Sequence, residues 1–194
     1  FEVNAFLAAR LGANSLACHG ILAQTAGLFY MLPLGMGVAV TTLVGNALGE
    51  AQPETARRYM CVGMGVGALF ITMQVVLVCF ILRDTWASLF TNDETVVTMV
   101  TALLPWFALF ALPDETQGIM AGAFRGMGRQ MLGAKINAFC YPVVGLTLSY
   151  TLSDPHLLNG GILGIWQGLT IAVTMTFILY ACFLVCFADW ESES

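Results

Sequence analysis

The chain has 194 residues, 58% of them hydrophobic and only 10% charged, with a mean hydropathy of +0.81 and a net charge of −5. A soluble globular domain carries about 25% charged residues, so this composition excludes one and points to a polytopic, all-α membrane helix bundle. The acidic balance leaves no basic patch for nucleic acid.

The first element is "FEVNAFLAARLG". It opens on Phe1, already apolar, with no basic n-region or small-residue cleavage site, which excludes a signal peptide. Residues 1–11 read as a helix cut within its span. A span needs about 20 apolar residues to cross a core of about 30 Å at 1.5 Å per residue. The uncharged stretch 11–49 exceeds one span, and "GAN" at 12–14 supplies a turn. Further uncharged runs cover 59–82, 136–153 and 157–188, and 96–124 is interrupted only by Asp114 and Glu115. With their flanks these give helices over 17–48, 54–82, 94–124, 131–153 and 160–188. Pro53 suits a first helical turn. Thr91 and Glu94 fit a capping box, and "LLNGG" reads as a loop.

Alternation places Arg57, Arg58, Arg125, Arg129 and Lys135 on one side and Arg10 and Arg83 on the other. The positive-inside rule makes the richer side cytoplasmic. Trp86, Tyr141 and Trp190 suit interfacial belts. Pro33, Pro105, Pro113 and Pro142 fall inside spans, where each removes a backbone donor. Glycines crowd the same helices and permit close approach. The six cysteines lie in apolar runs without a CxxC pair and read as buried apolar side chains. No HExxH or other metal spacing and no intramembrane Ser/His pair occurs, so neither an enzyme, a metal nor a cofactor is expected.

The chemistry concentrates at "ALPDETQGIM". Asp114 lies about 15 Å along its helix from the cytoplasmic end, near mid-membrane. An ionised carboxylate there costs at least about 2.5–3.5 kcal/mol, which is tolerable if the group is protonated, paired or facing a wet cavity. A group that takes up and releases a proton is what a proton-coupled carrier needs; the alternative is a structural pair with Arg125 or another helix. Asp114, Gln117, Gly118 and Ala121 share one polar, small-residue stripe. Glu115 is turned about 100° away, although both acids can border one cavity. Glu2 is a further intramembrane acid, and His19, Gln24 and Gln74 are polar positions inside spans.

The segments "LPLGMGVAVTTLVGNALGEAQPETARR" and "GAFRGMGRQMLGAKINAFCYPVVGLTL" resemble two signatures of the multidrug and toxin extrusion (MATE) transporters, one following the eighth helix and one joining the tenth and eleventh. "FEVNAFLAARLG" is similar to the seventh helix of the eukaryotic branch, and "ADW" to the close of the twelfth. Leu43 stands where the signature has Arg, Gln24 where some animal members have Glu, Glu50 for Ala, Tyr141–Pro142 for Tyr-Tyr and Thr147 for Pro.

The resemblance implies the C-terminal six-helix lobe of a twelve-helix transporter, with residues 1–11 a truncated helix seven and the helices above numbered eight to twelve. It implies an integral protein of the plasma or vacuolar membrane that exports small organic solutes, cationic or amphipathic, in exchange for protons. Asp114 and Glu2 match coupling acids of helices ten and seven, with Glu115 a further candidate. Gln24, Tyr30, Phe6, Gln117 and Phe110 are candidates for the substrate cavity; for the aromatics, core packing is the competing reading. The implied partners are the solute, a proton or sodium counter-ion, membrane lipid and the N-terminal lobe. Sodium coupling, a lipid-carrier flippase of the same superfamily and a truncated, non-transporting protein are the alternatives.

Overall fold

A computed structural model of the chain describes residues 2–187 and 190, and every regular element among them is helical. In order these are α1 (Glu2–Arg10), α2 (Ala13–Gly49), α3 (Pro53–Val76), α4 (Arg83–Trp86), α5 (Glu94–Gly126), α6 (Gln130–Phe139), α7 (Leu146–Ser153) and α8 (Gly161–Cys182). A π turn, Leu77–Ile81, extends α3, and a π segment, Cys140–Gly145, joins α6 to α7. Among the described residues five stretches are long and apolar enough to cross a membrane: Ala13–Gly49, Pro53–Ile81, Glu94–Gly126, Gln130–Ser153 and Gly161–Val185. Phe1, the Ala188–Asp189 part of "ADW", the end of the helix expected to reach 188 and the Cys186 side chain lie outside the described residues.

The helix ends follow from local chemistry. Asp93, not Thr91, caps α5: its Oδ1 accepts from Thr95 N–H at 2.8 Å and Val96 N–H at 3.3 Å. The expected capping box fails because α5 starts at Glu94, one residue past the cap, whereas the box needs its acid three residues on. Thr91 Oγ1 instead accepts from Asp93 N–H at 3.2 Å. At the far end of α5 the N–H groups of Gly128 and Arg129 return to Arg125 O (3.0 Å) and Phe124 O (2.8 Å). This Schellman closure needs a left-handed residue, which Gly128 provides at φ 71°. α2 ends the same way, with Ala51 N–H to Leu48 O at 3.0 Å and Gln52 N–H to Ala47 O at 2.8 Å. Here the left-handed position, φ 54°, falls on Ala51.

α2 and α5 form the spine, and small residues set their separation. A Cβ placed on Gly37 would lie 2.9 Å from Gly118 O, and one on Gly122 would lie 2.9 Å from both Gly37 Cα and Gly37 C. Thr41 Oγ1 sits at this crossing and donates toward Gly37 O (2.8 Å) and Gly122 O (3.0 Å).

Two apolar cores pack around the spine at different heights. One gathers Phe29, Val75, Leu104, Phe107, Phe110, Ala111 and Trp166. The other gathers Val40, Val44, Ile71, Ile119, Phe124 and Tyr180. Along α2 the first core runs to Phe29 and the second begins at Val40; along α5 the corresponding residues are Ala111 and Ile119. Asp114, Glu115 and Gln117 fall in that gap.

Candidate functional site

Beside the first core and the gap that follows it, a polar cleft opens, with a volume of about 980 Å³ that includes space continuous with its surroundings. Glu2 of α1, Ala23, Gln24, Ala26, Gly27 and Tyr30 of α2, Asp114 and Gln117 of α5, Asn137 of α6 and Tyr141 of the π segment line it.

Asp114 is 9% exposed. Its Oδ1 accepts from Tyr141 O–H at 3.1 Å and from Gln117 Nε2 at 3.2 Å. Gln117 Nε2 also donates to the Tyr141 oxygen, closing a triangle that ties α5 to the α6–α7 unit. A hydrogen bond to a charged group contributes about 1.5–3 kcal/mol. Two such donors therefore offset the roughly 2.5–3.5 kcal/mol cost of holding a carboxylate in the membrane. The site can carry charge without a permanent counter-ion.

The surrounding residues are fixed by close packing. Tyr30 lies on Gly118, where an added Cβ would come within 2.9 Å of Tyr30 Cε2. Only a residue without a side chain leaves the ring room beside Asp114. Asn137 Oδ1 lies 3.2 Å from Tyr180 Oη of α8, which also reaches Gly133 O at 3.1 Å. Tyr141 and Pro142 sit in a π segment, where the widened turn re-aims side chains.

Of the acids and cavity residues expected from the sequence, Asp114, Glu2, Gln24, Tyr30 and Gln117 meet at this cleft. Glu115 does not reach it. It is 1% exposed, and neither carboxyl oxygen has a hydrogen-bond partner among the described residues. The 100° step that separates it from Asp114 carries it off the cleft wall. Phe110 also lies outside, in an aromatic cluster with Trp166 (5.3 Å, interplanar 89°) and Phe107 (6.1 Å). Phe6 is 73% exposed and absent from the cleft lining. Asp114 is not paired with Arg125, which lies three turns further along α5 and donates from Nε to Thr41 Oγ1 at 3.4 Å.

Tyr141 corrects the interfacial-belt expectation. It lies inside the Gln130–Ser153 span and hydrogen-bonds the buried acid. Asn137 was not singled out from the sequence. The i, i+4 spacing of Asn137 and Tyr141 places both on one helix face, and that was the available signal.

The family model MatE matches residues 1–151. The chain belongs to the MatE family. It is 34% identical to an uncharacterized transporter of Schizosaccharomyces pombe over 173 residues, 89% of this chain and 32% of that protein. It is 32% identical to Multidrug and toxin extrusion protein 2 of Mus musculus over 185 residues, 95% of this chain and 32% of that protein. Its fold matches the crystal structure of eukaryotic MATE transporter AtDTX14 with a TM-score of 0.85 at 25% identity, covering 92% of this chain and 39% of that one. This MatE chain thus spans about a third of the length of the curated relatives it matches. With five apolar spans it is an integral membrane protein.

Proposed function

We propose that the chain is the C-terminal lobe of a twelve-helix exporter that exchanges small organic cations for protons at the cleft around Asp114. In the cytoplasm-facing state the Asp114 carboxylate, held by Tyr141 and Gln117, presents a negative charge to a cation entering beside Glu2 and Tyr30. Electrostatic attraction and the Tyr30 ring face supply binding. When the site faces the outer or luminal side, a proton added to Asp114 removes that charge, and the cation leaves. Loss of the proton toward the cytoplasm restores the site.

The observation that carries this reading is the hydrogen-bonded Asp114 carboxyl in the wall of a cleft between the apolar spans, flanked by groups from four helical segments. The names of the relatives support the substrate class, since one is a multidrug and toxin extrusion protein. The plasma or vacuolar membrane is the expected location, and the N-terminal lobe supplies the facing half of the cleft.

The test uses the full-length protein in vesicles loaded at acid pH and diluted into neutral buffer. An inside-acid gradient is expected to drive tetraethylammonium uptake as protons leave, at equal rates with and without sodium. Asp114→Asn keeps the volume and one oxygen that can accept from both Tyr141 and Gln117, so the protein should insert normally while exchange falls at least about 100-fold, within the range that removal of one essential proton-transfer group produces. A sodium gradient that drives uptake at fixed pH would overturn proton coupling. Unchanged exchange by Asp114→Asn would remove Asp114 from the site.

A further inference from the structure

Pro33 sits inside α2 and has no backbone N–H. The carbonyl of Phe29, one turn earlier, therefore lacks the donor that a helix normally supplies there. Lipid offers no donor there, so the freed carbonyl is satisfied from within the protein interior, by a neighbouring helix, a side chain or an ordered water. Gln74 provides the donor: from α3 its Nε2 donates to Phe29 O at 3.3 Å. Phe29 is 3% exposed and its ring packs edge-on against Phe107 at 5.7 Å, which fixes the acceptor within the protein.

The position of this bond gives it a consequence for the cleft. The part of α2 before Pro33 carries Gln24 and Tyr30, both in the cleft lining. The part after Pro33 is pinned to α5 through Gly37 and Thr41. Pro33 weakens the helix between these two parts, and Gln74 bridges the weak point from a third helix. We infer that Gln74 is a positioning residue: by supplying the donor that Pro33 removes, it holds the cleft-lining half of α2 in line with the half fixed to α5, and so keeps Tyr30 and Gln24 aimed at Asp114. This rests on the cleft being the transport site. Gln74 lies away from the cleft lining and touches no substrate in this scheme.

The experiment is a cycle of Gln74→Leu and Pro33→Ala in the full-length protein, read both by transport and by melting of the purified protein. Gln74→Leu preserves the approximate volume and removes the donor. It should raise the half-saturating tetraethylammonium concentration about fivefold, the factor that one net hydrogen bond is worth, with the maximal rate within about twofold. Its melting temperature should fall by about 2–4 °C. Pro33→Ala restores a backbone N–H to Phe29 O, so in that background Gln74→Leu should change neither quantity.

Equal losses in both backgrounds, or no loss in either, would overturn the inference. If Pro33→Ala itself stops transport, the melting arm still decides the coupling. If the unsubstituted protein transports nothing under a proton gradient, the functional proposal fails alone; Gln74 as a partner of Pro33 then stands or falls on melting.

Discussion

Replacing Gly122 with Ala tests the α2–α5 crossing. The new Cβ would press on Gly37 O and lie 2.9 Å from Gly37 Cα and C. Carbon atoms settle at about 3.5–4.0 Å, so the two backbones must separate by roughly 0.6–1 Å. Overpacking of this kind costs about 1–3 kcal/mol. The same separation stretches the 3.0 Å bond from Thr41 Oγ1 to Gly122 O, worth about 1 kcal/mol. A total of about 2–4 kcal/mol corresponds to a fall of about 5–15 °C in melting temperature for a unit of this size. The Tyr30–Gly118 contact lies one turn away, so tetraethylammonium exchange should weaken in parallel. The assay is thermal melting of the purified full-length protein. Gly65→Ala is the control: among the described residues no atom beyond its own stretch of helix lies within 4 Å of its added Cβ, and the gain in helix propensity, up to about 1 kcal/mol, should leave melting equal or higher. If Gly122→Ala melted together with the control, steric closeness at the crossing could not be what sets the helix separation.

Other substitutions separate the two acids and probe the supports. Glu115→Gln should leave tetraethylammonium exchange within about twofold, since Glu115 lies outside the cleft lining and its carboxyl makes no hydrogen bond among the described residues for the amide to lose; a loss matching Asp114→Asn would reinstate Glu115 as a coupling group. Tyr141→Phe removes the O–H donor to Asp114, a charge-assisted bond of about 1.5–3 kcal/mol, and exchange should fall about 10- to 100-fold with surface expression unchanged. Full activity in that variant would show that the triangle with Gln117 does not support transport. Ala51→Gly relieves a left-handed alanine and should stabilise by about 0.5–1 kcal/mol, seen as a rise of a few degrees in melting with transport unaltered; lower melting would contradict the strain assigned to Ala51.

The sequence by itself determined the class of the protein and much of its span pattern, because membrane insertion acts on composition and length. A run such as "YMCVGMGVGALFITMQVVLVCFIL" has few stable options other than a spanning helix. The intramembrane position of Asp114 and its stripe with Gln117 and Gly118 follow from helix geometry alone. The partners of that acid do not. Whether Asp114 meets Tyr141 depends on how α5 is rotated against its neighbours, and that rotation is set by glycine contacts at Gly37, Gly118 and Gly122 between segments far apart in the chain. The same rotation keeps Glu115 off the cleft wall and carries Phe110 into the aromatic core, although both lie beside the polar stripe in sequence. Asp93 caps α5 in place of Thr91 because the helix starts at Glu94, and periodicity does not choose among neighbouring polar residues for the cap. Local chemistry thus chose which residues are polar inside the bilayer; only packing between helices chose which of them face one another.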